Sequence, residues 1–246
     1  MKRQARAVWR LARVLAHLVT GLGTVALRFP RMPEQEQHAR VQAWSRQMLV
    51  HAGITLDVRG TPAPAGPVLL VANHLSWLDI TVMHAARHCR FISKSDIKGW
   101  PLVGTLATAA GTLYLERSSR RDALRMVRLM QEALARQEVL AVFPEGTTAD
   151  GLELLPFHAN LLQAAVVANA PVQPVGLRFV ERTTGAPTSA PNYVGDDTLL
   201  GSLWRTVMAD GLVAVVHYGP LQHAQGRDRR AWADDLRAAV DVLRRT

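Results

Sequence analysis

The chain of 246 residues contains a single cysteine, Cys89, so no disulfide closes within it and no thiolate cluster holds zinc. No group of His, Cys, Asp and Glu stands at metal-ligand spacing either, and neither a metal nor a cofactor is expected. A Gly-x-Ser-x-Gly elbow is missing, and Cys89 has no base beside it in the sequence, so a hydrolase would lack its activated nucleophile. Internal repeats and low-complexity tracts are missing as well. The uncharged apolar run near the N-terminus, from Val14 to Leu27, stops at about 14 residues, short of the ~20 that a spanning helix needs. With 48% hydrophobic residues the chain is neither disordered nor a multi-span membrane protein, and one lone thiol suits a reducing compartment.

Acids are the scarcer charge, 20 against 29 Lys and Arg, and the imbalance is local. Residues 1–50 hold nine basic residues (Lys2, Arg3, Arg6, Arg10, Arg13, Arg28, Arg31, Arg40 and Arg46) against Glu34 and Glu36, which is +7 of the net +9. One end of the chain therefore meets a polyanion. Nucleic acid is not expected, because a nucleic-acid arm interleaves polar and aromatic groups where this one has an apolar run. A basic flank before a short apolar stretch also describes a signal peptide, but the run ends in Arg28-Phe29-Pro30 with no small-residue cleavage site. The reading adopted is a helix lying in the interface of an anionic bilayer, its basic residues on head groups; the alternative is a helix that covers the core.

Pro30 and Pro33 break the chain, and a second helix is expected over about 34–51, with Val41, Trp44, Met48 and Leu49 on one side. A segment of two helices, residues 1–52, thus precedes a main domain at 53–246, entered through the turn-rich stretch 61–67. Strand-like runs follow at 68–72, 90–93, 112–116, 139–143, 172–179 and 212–218. Helix-like runs lie at 78–88, 119–137 and 157–169, with a final basic helix at about 229–245. Such alternation predicts an α/β fold, a central mixed sheet flanked by helices.

Three strand ends carry candidate chemistry, and a fourth block marks a strand entry. After the strand at 68–72 comes Asn73-His74-Leu-Ser-Trp-Leu-Asp79. His74 offers a general base and Asp79 a carboxylate to fix its tautomer. Positions five apart on a helix diverge by about 140°, so His74 must lie in the turn before the helix, with Asp79 reaching back. The same residues form a capping box, Ser76 at the cap and Asp79 three positions on, in which Asp79 merely satisfies backbone donors. The second candidate is Gly111-Thr-Leu-Tyr-Leu-Glu-Arg117, whose arginine has the planar fork that grips phosphate; the bland alternative is a solvated charge beside Arg120 and Arg121. The third is Val142-Phe-Pro-Glu145-Gly146-Thr147-Thr148, a strand running into a tight turn. There Glu145 is expected to meet a substrate hydroxyl, and Gly146 to let backbone N–H groups approach an oxyanion. The fourth, Ala170-Pro-Val-Gln-Pro-Val175, reads as architecture.

In this order, the four blocks resemble those of the glycerolipid acyltransferases, particularly the lysophosphatidic acid acyltransferase branch. The family's Asn-His-x-x-x-x-Asp block matches Asn73 to Asp79, its Gly…Arg block Gly111 to Arg117, its Phe-Pro-Glu-Gly-Thr block Phe143 to Thr147, and its proline block Pro171 to Val175. The lysine after the first block is Lys94. The resemblance implies a glycerol-phosphate acyltransferase-like fold and transfer of a fatty acyl group from acyl-CoA or acyl carrier protein to the sn-2 hydroxyl of lysophosphatidic acid. His74 and Asp79 would be catalytic. Asn73, Lys94, Arg117, Glu145, Gly146 and Thr147 would bind substrate, with Lys94 and Arg117 on the phosphate. It places the enzyme on the cytoplasmic face of the inner membrane. Two positions depart from the family: Thr148 and His158 stand where it often carries Arg and Lys. That keeps a less anionic acceptor, such as lyso-ornithine lipid, in play. A non-catalytic membrane-binding protein would account for the basic N-terminus but not for the four blocks.

Overall fold

The computed structural model describes residues 2–115 and 120–246, with the side chain of Arg120 left out. Seven strands form one sheet: β1 (Thr55–Arg59), β2 (Val68–Ala72), β3 (Arg90–Lys94), β4 (Leu113–Leu115), β5 (Val139–Val142), β6 (Val172–Glu181) and β7 (Leu212–Tyr218), in the order β1-β7-β6-β2-β5-β3-β4. Among the described strand pairings only β6–β7 is antiparallel, so the sheet is mixed, as expected. β2 reads Val-Leu-Leu-Val-Ala without interruption because both of its faces are covered. Val68, Leu70 and Ala72 join one core, and Leu69 and Val71 join the other. β1 escapes a hydrophobicity reading because it is an edge strand that carries Asp57 and Arg59.

Helices α2 (Glu34–Ala52) and α3 (Leu78–Ala86) cover the first core, and α5 (Arg120–Ala135), α6 (Gln163–Val167) and α8 (Arg229–Arg245) the second. α8 begins on Asp228, whose Oδ1 accepts from the N–H groups of Arg230 and Ala231. It lies so close to β6 that a Cβ on Gly176 would stand 2.4 Å from the backbone nitrogen of Arg244. Two short helices have no counterpart in the sequence reading: α4 (Val103–Ala109) and α7 (Leu199–Met208).

The N-terminal helix α1 runs from Lys2 to Leu27, well beyond the uncharged run, and is long and apolar enough to cross a bilayer by length and composition. Its sidedness is reversed for a helix packed on a soluble core. Inward it presents Ala7, Val14, His17 and Gly21; outward it leaves Val8, Trp9, Leu15, Val19 and Leu27 exposed, Val19 at 67%. The α1–α2 contact is narrow and partly polar. His17 Nε2 lies 2.9 Å from Trp44 O, Trp44 Nε1 donates to His17 O at 3.2 Å, and a Cβ on Gly21 would meet the Trp44 indole. Three of the N-terminal arginines bind α7 and the turn after it. Arg10 Nη1 donates to Val207 O (2.9 Å) and Ala209 O (2.7 Å), Arg3 to Met208 O, and Arg6 pairs with Asp210 at 3.0 Å.

Gly176→Ala is expected to push α8 off β6 and lower stability by about 1–3 kcal/mol, measured as a lower urea midpoint. Gly23→Ala, where an added Cβ meets nothing within 4 Å, is expected to leave the midpoint unchanged or raise it.

Candidate active site

Because β2, β3, β4 and β5 are parallel, their C-terminal ends share one edge of the sheet. In open α/β sheets this edge is where ligands bind. The Asn73–Asp79 segment follows β2, the turn Phe143–Thr148 follows β5, and Lys94 ends β3. Arg117 lies outside the described residues, together with Glu116; Leu115, the last described residue before them, is level with Lys94 in the ladder.

His74 sits in the turn, four residues ahead of α3. Its ring stacks on Phe143 with centroids 4.0 Å apart and planes 4° apart, and its Nδ1 lies 2.8 Å from Asp79 Oδ2. Asp79 is fully buried and the His74 side chain is 18% exposed, so Nε2 is the ring nitrogen turned to the open edge. A proton on Nδ1, held by the carboxylate, leaves the Nε2 lone pair free to act as a base.

The two roles open to Asp79 are filled at once, by the same atom. Oδ2 accepts from His74 Nδ1, from Leu75 N–H (2.6 Å) and from Ser76 N–H (2.8 Å), while Oδ1 is buried without a hydrogen-bond partner among the described residues. The carboxylate also stands in the first turn of α3, where the helix end favours negative charge.

Three residues expected to touch substrate do other work. Asn73 is fully buried, and both ends of its amide bind the Leu177 backbone, Nδ2 to O at 3.0 Å and Oδ1 from N–H at 2.7 Å. It extends the β2–β6 ladder by one side-chain rung. Glu145, only 4% exposed, accepts from His74 N–H through Oε1 (2.8 Å) and from Leu155 N–H through Oε2 (2.9 Å). Burial raises its pKa, against the pull of those two N–H groups. It brackets the base from behind. Gly146 has the expected positive φ, 72°, and its own N–H donates to Phe143 O and so closes the turn. Thr147 is exposed at the tip, and among the described residues neither its hydroxyl nor its N–H has a partner. Lys94 is also exposed and without an ion pair among the described residues.

A segment with no motif of its own also belongs to the site. Residues 191–194 lie across the turn after β2: Ser76 Oγ donates to Pro191 O (2.5 Å), Tyr193 N–H to Leu75 O (3.0 Å), and Thr148 Oγ1 to Tyr193 O. Asn192 Nδ2 donates to Asp150 O. Only a buried asparagine after a proline would have hinted at this strap. Other reactive side chains are accounted for as packing. Cys89 is buried, which pushes its thiol up, and burial lowers His84 to about 4 and His88 to about 3, keeping both neutral beside α2.

Residues 55–178 match the model of the Acyltransferase family. The chain is 39% identical to a 1-acyl-sn-glycerol-3-phosphate acyltransferase of Neisseria meningitidis over 86% of its own length and 82% of the relative's. It is 36% identical to a lyso-ornithine lipid O-acyltransferase of Pseudomonas aeruginosa, over 96% and 92%. The crystal structure of the 1-acyl-sn-glycerophosphate acyltransferase of Thermotoga maritima has the same fold, with a TM-score of 0.70 over 99% of this chain and 94% of that one at 17% identity.

Asn73→Ala orphans a buried N–H and a buried C=O of Leu177, each worth about 1–3 kcal/mol. Stability is expected to fall by about 2 kcal/mol or more, and chemical denaturation measures the loss.

Proposed function

The chain belongs to the acyltransferase family, and on that premise we propose that it moves a fatty acyl group from acyl-CoA or acyl carrier protein to the free sn-2 hydroxyl of lysophosphatidic acid. The observation that carries this reading is the paired ring of His74, with Nδ1 held by buried Asp79 and Nε2 free at the strand-end edge. Nε2 takes the hydroxyl proton as that oxygen attacks the thioester carbonyl. When the tetrahedral intermediate collapses, the leaving thiolate receives the proton back from the imidazolium. Asp79 stabilises that imidazolium while it lasts. Base catalysis of this kind contributes ~10²–10⁴-fold. Holding both substrates in attack geometry contributes more, on the order of 7–11 kcal/mol in well-oriented cases.

The acceptor lies along the edge. Lys94 is two strands from His74, about 10 Å at ordinary strand spacing, within reach of a phosphate when the lysine side chain extends. We assign the phosphate to Lys94 and Arg117, and the unspent donors of Thr147 to the reacting carbonyl. A second reading, lyso-ornithine lipid as acceptor, is favoured by one observation. Thr148 is tied to Tyr193 O and His158 sits beside Pro144, so the two positions next to the turn where a further Arg and Lys would grip phosphate carry neither.

Residues 1–52 are proposed to hold the mouth of the site against an anionic bilayer on the cytoplasmic face of the inner membrane. The outward stripe of α1, continued by exposed Trp100, Leu102 and Val103 next to α4, supplies the apolar contact. With Arg3, Arg6 and Arg10 committed to α7, fewer cations remain for head groups than the sequence suggests. Each is worth about 1 kcal/mol, against about 1.5–3 for a buried large apolar side chain, so insertion outweighs charge.

Asp79→Asn separates catalysis from capping. An amide can keep its oxygen where Oδ2 is, so the two backbone bonds of the cap survive, while its NH₂ falls where Oδ1 is buried without a partner among the described residues. Stability is expected to fall by about 1–3 kcal/mol, and kcat by ~10²–10⁴-fold because a neutral amide does not stabilise the imidazolium. A cap alone would give the same loss of stability with kcat unchanged. Lys94→Ala and Arg117→Ala are expected to raise KM for lysophosphatidic acid more than for lyso-ornithine lipid; equal KM changes on both acceptors would refute the phosphate assignment. Removal of residues 1–30 is expected to release the protein from anionic liposomes, whereas high salt only weakens binding; unchanged binding after the deletion would make α1 a core helix.

A further inference from the structure

We infer that Ser202 is a positioning residue for the His74–Asp79 pair and that α7 carries the docking of α1 to it. The inference rests on the proposed acyl transfer for its kinetic readout but not for its geometry. Both backbone donors that hold Asp79 Oδ2 come from residues gripped by the 191–194 strap. Leu75, which donates to Asp79 at 2.6 Å, accepts from Tyr193 N–H at 3.0 Å. Ser76, which donates at 2.8 Å, sends its own hydroxyl to Pro191 O at 2.5 Å. The strap in turn hangs on α7. Ser202 is fully buried, and its one hydroxyl proton is shared between Pro191 O (3.2 Å) and Asn192 O (3.3 Å) while its Oγ accepts from Trp77 Nε1 (3.1 Å). Arg205 adds a bond to Asn192 O at 2.8 Å and a bidentate pair with Asp197, whose Oδ2 caps Val194 N–H.

The far end of α7 is where α1 attaches. Arg10 caps the carbonyls of Val207 and Ala209, Arg3 that of Met208, and Arg6 pairs with Asp210. α7 is one rigid helix, and the strap bonds of Ser202 and Arg205 lie within about two turns of the carbonyls that α1 caps, so the seating of α1 on α7 fixes the strap. With α1 seated, the strap presses Leu75 and Ser76 onto Asp79 and the His74 ring keeps its proton on Nδ1. With α1 displaced, those donors spread and the tautomer is no longer enforced. Transfer is thereby tied to the state of the helix that meets the bilayer.

The test uses the full chain with four variants: Ser202→Ala, Arg10→Gln, their combination, and Trp77→Phe. Ser202→Ala is expected to lower kcat about tenfold and Arg10→Gln several-fold, with KM for the lysolipid within about twofold, because positioning and not substrate binding is lost. The double variant is expected to be no slower than Ser202→Ala alone within about twofold, since both act through α7, whereas independent sites at this separation multiply. Trp77→Phe is expected to resemble the parent, since the Ser202 bonds to the strap survive. The ¹⁵N spectrum of the His74 ring is expected to show a single Nδ1–H tautomer in the parent and a mixture in Ser202→Ala and Arg10→Gln. An unchanged ring spectrum and kcat in Ser202→Ala, or multiplicative effects in the double variant, would overturn the inference. Should Ser202→Ala not fold, Arg10→Gln decides by the same two readouts, since it lies outside the core. A ring spectrum that responds as stated in a protein that acylates no lysolipid would leave the positioning standing and remove the functional reading.

Discussion

A single oxygen, Asp79 Oδ2, is the point on which this structure turns. A fully buried carboxylate is costly unless its charge is met, and here three N–H groups converge on one atom at the positive end of a helix. Placing that atom requires the chain to leave β2 in a tight turn, so Asn73 must finish the ladder, Glu145 must hold the back of His74, and the strap at 191–194 must close over Leu75 and Ser76. The carboxylate that holds the His74 ring is also the helix cap. A buried charge that tolerates no other arrangement of its donors also tolerates no other orientation of the imidazole.

The second constraint is the reversal of α1. Its contact with α2 centres on Gly21, His17 and Trp44, with Val14 and Leu18 on the core beside them, while Val8, Trp9, Leu15, Val19 and Leu27 face outward. An outward apolar stripe on a monomeric soluble protein is unfavourable and marks a contact surface. The arginines that the composition assigned to a polyanion divide accordingly. Those of the first three turns fasten the helix to α7, and Arg28 and Arg31, beyond its C-terminus, stay exposed.

Much of this was legible in the sequence for identifiable reasons. β2, β5, β6 and β7 are buried on both faces and show as apolar runs, and α8 has bounds marked by Asp228 and a strong amphipathic period. The placement of His74 in the turn followed from helical geometry alone. What stayed hidden has equally physical causes. β1 is charged because it lies at an edge, α4 is a short helix whose sequence lacks a polar face, and the strap is irregular backbone whose bonds run to residues more than a hundred positions away. Glu145, Gly146 and Asn73 stand at the right place, yet their polar atoms are consumed by neighbours. Residue type and spacing report that a group is near a site, but not whether it has a free valence there.

The topology of the sheet carries one more consequence. β2, the strand that delivers the base, is flanked by β5 and β6, which lie some seventy to a hundred residues later in the chain. During synthesis α1 and α2 leave the ribosome before the sheet, and β2 stays without a neighbour until the chain has grown past Val142 and without its second until it has passed Glu181. The outward stripe of α1 is therefore available to a bilayer throughout the interval in which no catalytic geometry exists. On the proposed membrane placement, the nascent chain can settle on a lipid surface as an unfinished protein before the sheet assembles.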